Sequence, residues 1–183
     1  VLAFFFYLAY IILYWIFAVL HWFVIDLTTK QWWDYLDHDL QELLLQAFDL
    51  LRVSSTLDSY RDYSFIVFPA SKAYEGFLKK IFLDMGFITR EDYDGTRFRI
   101  GKALNPSLER EARNGQWVYE KLEHYCNGKD LPDLLWTTWK ECRNAVFHWF
   151  PKDARALTRD EAGERLNRVI YAIDSVFREC KIK

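Results

Sequence analysis

The chain has 183 residues, enough for one domain and an additional segment, and its formal net charge is −2. The charge is unevenly distributed: residues 26–58 contain seven acidic and two basic side chains, whereas residues 59–183 contain 19 acidic and 22 basic ones. This mildly basic C-terminal part lacks the dense positive charge of a polybasic nucleic-acid-binding protein.

The metal-ligating residue types are few and scattered. Three cysteines, Cys126, Cys142 and Cys180, predict neither a disulfide framework nor a zinc site, and this usage suits a reducing cytosol. The four histidines also form no cluster in the sequence. We therefore expect no bound metal and no cofactor.

The first 25 residues contain no charged side chain and read VLAFFFYLAYIILYWIFAVLHWFVI. A helix rises about 1.5 Å per residue and a hydrocarbon core is about 30 Å thick, so about 20 apolar residues span a bilayer. The run is longer than the apolar core of a signal peptide, and no small-x-small cleavage site follows it. Residues 1–25 are therefore predicted to be a retained transmembrane helix, with a cleaved or buried segment as the alternative.

Four polar-capable residues of this segment share one face of the predicted helix. At 100° per residue, Tyr7, Tyr10, Tyr14 and His21 fall within an arc of about 60°. A stripe through the middle of a membrane helix indicates a face turned toward another helix or a water-filled lumen. The alternative is that lipid tolerates each tyrosine singly.

Residues 26–58 are predicted to form an amphipathic juxtamembrane helix and a linker. The helix, at residues 31–52, has apolar positions that alternate in spacings of three and four. Such a seam is typical of a coiled coil, although packing in an ordinary bundle fits a seam of this length as well. These positions are Trp33, Leu36, Leu40, Leu43, Ala47 and Leu50.

Residues 59–183 are predicted to form a helical domain, so the fold class is all-α. The apolar patterns predict helices at about 60–85, 107–126, 131–149 and 159–180. Pro69 either kinks the first of these helices or opens its second part. Residues 86–105 are rich in turn residues and predict a loop with room for a short hairpin. Thr158 and Glu161 predict a capping box at the start of the last helix.

The helix at 131–149 contains the most informative motif, Trp139-Lys-Glu-Cys-Arg143-Asn144-Ala-Val-Phe-His148-Trp-Phe-Pro151. Arg143 follows Trp139 by one turn, at the edge of a predicted buried face, where a long cation usually has a partner or a ligand. His148 lies in the last turn, because Pro151 ends the helix. That buried face is formed by Leu131, Leu135, Trp139, Cys142 and Val146.

Arg143 and His148 are about 140° apart around a regular helix, so one straight helix cannot bring them into one site without local distortion. Two chains packed antiparallel at this helix end could combine two Arg–His pairs in a composite cleft. The spacing therefore predicts self-association.

An arginine, a polar residue and a histidine four to six positions later in an all-helical domain resemble the motif of the HEPN superfamily. The resemblance implies paired domains that cleave RNA without a metal: the histidine handles the 2′-hydroxyl proton and the arginine stabilises the phosphorane charge. Arg143, Asn144 and His148 are then the candidate catalytic residues. Lys72 and Glu75 on the earlier helix are candidate binding residues that pair with the motif, or else ordinary surface charges.

The whole arrangement, one N-terminal membrane segment and one helical Arg–His domain, resembles the small membrane accessory proteins of type VI-B CRISPR systems. That resemblance implies an inner-membrane antiviral protein with a cytoplasmic C-terminal domain. It also implies a homo-oligomeric ring around a membrane pore that depolarises the membrane when an RNA-guided effector finds its target. The alternatives are a membrane-tethered, metal-independent ribonuclease or toxin that contacts RNA, and a non-catalytic membrane adaptor. In a purely structural interpretation, Arg143 is a core-edge charge and His148 a helix-terminal histidine.

Overall fold

The computed structural model describes residues 26–56, 60–126, 128–148 and 156–180, and all regular secondary structure in these ranges is helical. The predicted all-α fold class is confirmed for this part of the chain. Residues 86–105 contain two short helices and no strand, so the suggested hairpin was wrong. The helices are α1 (His38–Val53), α2 (Ser64–Asp84), α3 (Arg90–Asp94), α4 (Ile100–Ala103), α5 (Tyr119–Tyr125), α6 (Asp130–Trp139), α7 (Ala145–Phe147) and α8 (Arg159–Glu179), with a π-helical turn at Lys140–Asn144.

The predicted transmembrane segment, residues 1–25, lies outside the described residues. Among the helices that are described, none combines the length and the apolar character needed to cross a bilayer. The chain divides into two compact units, residues 1–30 and residues 31–183. In the first unit, Asp26 caps a 3₁₀ turn by accepting a hydrogen bond from the Thr28 amide at 3.0 Å.

Helix α1 belongs to the second unit, where it packs against α2 and α8. It begins at His38 rather than at residue 31, because Trp33–Tyr35 form a 3₁₀ turn and Trp32 serves a tertiary contact. Trp32 is buried and its indole N–H donates a hydrogen bond to Asp174 of α8. The α1–α2 crossing is close: a Cβ added at Gly76 would lie 2.5 Å from a methyl carbon of Leu40. Helix α1 therefore packs within the bundle.

Helix α2 lies at the centre of the bundle and contacts α1, α8 and the π turn. It runs through Pro69, the sixth residue of the helix, without interruption, although a proline removes one amide donor. Helix α8 begins at the predicted capping box: the Thr158 hydroxyl accepts from the Glu161 amide at 3.2 Å, and the Glu161 carboxylate accepts from the Thr158 amide at 2.8 Å. The buried apolar residues of α2 and α8 include Ile66, Val67, Phe77, Leu78, Ile81, Phe82, Leu166, Val169, Ile173 and Val176.

The helix expected at residues 107–126 is much shorter, because it begins only at Tyr119. Asparagine side chains hold the preceding residues in turns. Asn105 accepts a hydrogen bond from the Ser107 amide at 2.9 Å, and Asn114 accepts one from the Gln116 amide at 3.1 Å. Such local bonds offer the backbone an alternative to helix, and they override the apolar pattern here.

The cysteine prediction was wrong. Cys126, which follows α5, forms a disulfide with Cys180, which follows α8. Disulfides persist in oxidising compartments and are rare in the cytosol, so cysteine usage no longer favours a reducing environment. Spacing alone could not reveal the pair, because 54 positions separate two residues that the bundle brings together. Cys142 is buried with a free thiol.

Candidate functional site: a π-helical turn at Arg143

The predicted helix at 131–149 consists of three parts: α6, the π turn and α7. The π turn is defined by the Ala145 amide, which donates to the Lys140 carbonyl five residues earlier. A π turn adds one residue to a helix, and such turns occur frequently at functional sites. His148 has extended backbone angles, φ −111° and ψ 129°, so the helix ends at Phe147.

The added residue changes which side chains face the core. Leu131, Leu135, Trp139 and Cys142 are buried as the sequence predicts, but Val146 is only half-buried. One extra residue corresponds to a phase change of about 100°, which rotates α7 relative to α6. The 140° separation of Arg143 and His148 assumed a regular helix and does not apply across this turn.

Contacts from α2 and α8 hold the π turn. The Ser71 hydroxyl lies 2.6 Å from the Cys142 carbonyl oxygen and 3.0 Å from that of Val67, so its single proton can satisfy either acceptor. In the same turn, one carboxylate oxygen of Glu141 lies 2.9 Å from the Arg165 guanidinium and 2.7 Å from that of Arg168. The turn is therefore specified by residues distant in the sequence.

Arg143 occupies the π turn with an unusual set of partners. Its guanidinium lies 5.2 Å from the ring centre of Trp139 and donates to the Asn144 side-chain oxygen at 3.4 Å. The side chain is half-buried, and no described carboxylate forms an ion pair with it. A half-buried guanidinium in contact with only a ring and an amide can bind an additional anionic group. The structure thus brings Arg143 and Asn144 together.

His148 lies at the exposed end of the motif, immediately after α7. The preceding residue, Phe147, is half-buried, and its ring packs edge-to-face on Phe68 of α2 with 5.2 Å between ring centres. We call α6, the π turn and α7 together, residues 130–147, the motif helix, and this contact fixes its end on α2.

The two candidate partners on α2 do not pair with the motif arginine. Lys72 is exposed, with its ammonium group 5.9 Å from the ring centre of Phe68. Glu75 is half-buried, and within the described residues no ion pair joins it to Arg143. The stripe of Tyr7, Tyr10, Tyr14 and His21 lies outside the described residues.

Sequence reasoning missed Ser71, Glu141, Arg165 and Arg168. Arg165 and Arg168 are three residues apart and lie on one face of α8 beside Glu141, but one sequence gives no signal that pairs them with another helix. The remaining thiol of the site is inert: burial raises the pKa of Cys142 to about 12, and Arg165 and Arg168 lower it only partly. Cys142 is therefore protonated near neutral pH and is no nucleophile.

A separate depression of about 550 Å³ lies between the loop after α2 and the loop before α5. Its polar groups form hydrogen bonds with one another. The Lys121 ammonium donates to the carbonyls of Phe87 and Gly115 at 2.8 and 2.6 Å, and Gln116 donates to Asp92 at 2.6 Å. This depression is a packed loop junction. Across the described ranges, no group of three His, Cys, Asp or Glu residues could hold a metal ion.

Comparison of the chain with protein-family models, with curated proteins and with solved structures finds no match.

Proposed function

We propose that this chain is a HEPN-like membrane accessory protein that enhances an RNA-guided, RNA-targeting antiviral system of the type VI-B CRISPR class. In this proposal it self-assembles into a ring around a membrane pore and depolarises the inner membrane when the effector finds its target. The observation that carries the proposal is Arg143: a half-buried guanidinium in a π turn, with no carboxylate partner among the described residues, five positions before an exposed histidine.

The local chemistry supports a role beyond packing. Two carboxylate–guanidinium contacts and a buried hydroxyl hold the turn, yet none of them neutralises Arg143. Distorted helical turns of this kind are unfavourable unless the surroundings stabilise them, and they concentrate at functional sites. An arginine held in this way can bind a phosphate, or a carboxylate of another subunit.

Two features bear on the location. The uncharged segment 1–25 supports a place at the membrane. The family resemblance places the C-terminal domain in the cytoplasm, whereas the Cys126–Cys180 disulfide is typical of an oxidising compartment. Thiol alkylation in intact cells, followed by mass measurement, distinguishes the two: a reduced pair supports the cytoplasmic side, and an oxidised pair contradicts it.

Ion leakage from proteoliposomes tests the pore. Purified wild-type protein should release a trapped ion, and Tyr14→Leu should weaken this leak by removing one member of the polar stripe. Leu13→Ile is the matched control, because it keeps an apolar side chain of the same size at a neighbouring position that lies off the stripe. The pore proposal fails if the wild-type protein leaks no more than empty vesicles, or if both variants leak like the wild type.

The second candidate function is a metal-independent ribonuclease, and the presence of His148 five positions after Arg143 in the chain favours it. In such an enzyme His148 would take the 2′-hydroxyl proton and Arg143 would stabilise the developing phosphorane charge. Incubation with single-stranded RNA in the presence of a chelator tests this activity. Cleavage that disappears in Arg143→Ala and in His148→Ala would favour the ribonuclease over the pore.

A further inference from the structure

Large aromatic side chains are exposed on the N-terminal half of α2 and in the turn before it. Tyr60 is 52% exposed, Phe65 is 37% exposed and Phe68 is 50% exposed. Phe65 and Phe68 are three residues apart in α2, so they share one face of the helix. The half-buried Tyr63 lies directly before the helix. We call these four residues the aromatic surface, because neighbouring apolar side chains that stay exposed mark an interaction surface.

The rings of the aromatic surface pack on one another. Tyr60 packs edge-to-face on Tyr63 and on Phe65, with 6.0 and 5.6 Å between ring centres. The Tyr63 hydroxyl accepts a hydrogen bond from the Tyr60 amide at 3.3 Å, and Phe68 packs on Phe147 at the end of the motif helix. The surface is therefore ordered before anything covers it, so docking does not have to order these side chains first.

Two cations adjoin the aromatic surface. Arg61 is exposed in the turn before α2, and Lys72 is exposed with its ammonium group 5.9 Å from the ring centre of Phe68. Neither cation forms an ion pair with a described residue. Among the neighbouring acids, Asp62 accepts hydrogen bonds from Ser64 and from the Leu157 amide, and Glu75 is half-buried one turn beyond Lys72. The exposed charge beside the rings is therefore mainly positive.

We propose that the aromatic surface docks on a bilayer that contains anionic lipid, with its rings at the level of the headgroups and with Arg61 and Lys72 on lipid phosphates. Tyrosine and phenylalanine rings beside basic side chains are residue types that prefer a membrane interface. There the rings leave water, while hydroxyl and ammonium groups stay among the headgroups. The inference rests on the membrane location in the proposed function and deepens it by naming the part of the helical domain that faces lipid.

The tether selects the bilayer as the occupant. In the proposed function, the uncharged segment 1–25 holds the helical domain at a membrane, so docking is an intramolecular step with a high effective concentration. Each exposed cation adds about fivefold in affinity for an anionic surface. Because Phe68 packs on Phe147, docking places the end of the motif helix, and His148 after it, beside the headgroups.

Fluorescence quenching of the full chain in vesicles of phosphatidylcholine and phosphatidylglycerol tests the docking. Phe68→Cys and Tyr171→Cys each carry a bimane label, and Tyr171 is the control because it is 54% exposed on α8, outside the aromatic surface. The free thiol of Cys142 is buried and stays unlabelled. A nitroxide lipid labelled near the headgroup should quench the Phe68 label, and aqueous iodide should quench it about threefold less than the Tyr171 label.

Two results of this experiment overturn the inference. The first is a Phe68 label that iodide quenches as strongly as the Tyr171 label. The second is a Phe68 label that is shielded from iodide but is not quenched by the nitroxide lipid, because a protein then covers the surface. If the chain does not float with the vesicles at all, the membrane location in the proposed function fails as well, whereas a floating chain with an iodide-accessible Phe68 label overturns the docking alone.

The charges are tested by lipid composition. Arg61→Gln with Lys72→Gln should lower lipid quenching of the Phe68 label about twofold or more in vesicles that contain phosphatidylglycerol, but not in phosphatidylcholine alone. Arg97→Gln with Lys102→Gln is the matched control, because both residues are exposed cations outside the aromatic surface. Equal losses of quenching in the two double variants would overturn the inference.

Discussion

Helix α8 and the motif helix are both amphipathic and pack against the same central helix, but their shapes are determined differently. Helix α8 begins at its own capping box and continues without interruption for 21 residues. The motif helix changes hydrogen-bonding pattern after ten residues and ends at Phe147. Neighbouring residues specify the first helix, and side chains from other elements specify the second.

The motif helix therefore depends more on its surroundings than α8 does. A regular helix satisfies its backbone internally, so loss of one outside contact changes its stability but not its course. A π turn keeps its pattern only while outside contacts favour it over a regular helix. Substitutions of those contacts should therefore affect the motif more than they affect α8.

The largest effect should come from the disulfide that ties the end of α8 to the end of α5. Cys126→Ser with Cys180→Ser should lower the free energy of unfolding by about 2–4 kcal/mol, because the bond closes a long loop. Denaturant titration measures the change. Hydrogen exchange should accelerate most at the last turn of α8, and unchanged stability in the double variant would mean that packing alone holds this end.

Glu141→Gln should have the next largest effect and should act on the motif helix. It leaves the Arg165 and Arg168 guanidiniums close together without the carboxylate, at positions about one-third exposed. We expect a loss of about 2 kcal/mol, between the values for surface and buried ion pairs. Glu179→Gln is the matched control, because Glu179 pairs with Arg178 in the exposed last turn of α8 and should cost below about 0.5 kcal/mol. Equal losses in the two variants would contradict the outside support of the π turn.

Ser71→Ala should cost about 1.5 kcal/mol, because a buried carbonyl at Cys142 loses its outside donor. Amide exchange should accelerate at residues 140–147 and stay unchanged in α8. Ser55→Ala removes a hydroxyl that bonds only locally to the Arg52 carbonyl on the surface, so this control should have little effect. Faster exchange spread evenly over both helices would show that Ser71 acts on the whole bundle and has no specific role at the π turn.

The smallest effect concerns Asp62, which joins the start of α2 to the residue before the α8 cap. Burial raises its pKa, but hydrogen bonds from the Ser64 hydroxyl and from the Leu157 and Ser64 amides outweigh burial and lower it. A lowered pKa in the folded state means that this carboxylate stabilises the protein above the ordinary carboxyl pKa and that the contribution is lost as the pH falls through the folded-state pKa. Asp62→Asn should therefore be less stable than wild type at neutral pH, and the difference should vanish in acid. A stability difference that persists unchanged in acid would contradict this linkage.

The sequence predicts well what neighbouring residues determine. The all-helical class, the capping box at Thr158 and the buried face from Leu131 to Cys142 all follow from short-range patterns. The predictions that failed depend on residues far apart in the chain. The Cys126–Cys180 bond and the late start of α1, where Trp32 bonds to Asp174, are of this kind.

The candidate site also combines features that neighbouring residues determine with features that depend on residues far apart in the chain. The motif Arg143-Asn144 could be read directly from the sequence, but the prediction that His148 lies in the last helical turn was wrong, because the helix ends at Phe147 and His148 is extended. The π turn could not be read from the sequence, because it depends on Ser71 and on Arg165 and Arg168, which lie on different helices. The 140° angle between Arg143 and His148 was calculated for a regular helix. Because a π turn interrupts the helix, this angle does not describe how the two side chains are placed, either within one chain or across a pair of chains.

The most direct test of the proposed function is membrane potential in cells that carry the RNA-guided effector and its target RNA, measured with a potential-sensitive dye. The wild-type chain should depolarise these cells only when the target is present. Arg143→Ala and His148→Ala should each abolish the depolarisation while membrane insertion and thermal stability stay at wild-type values. Full depolarisation with both variants would contradict the account and leave Arg143 and His148 with structural roles only.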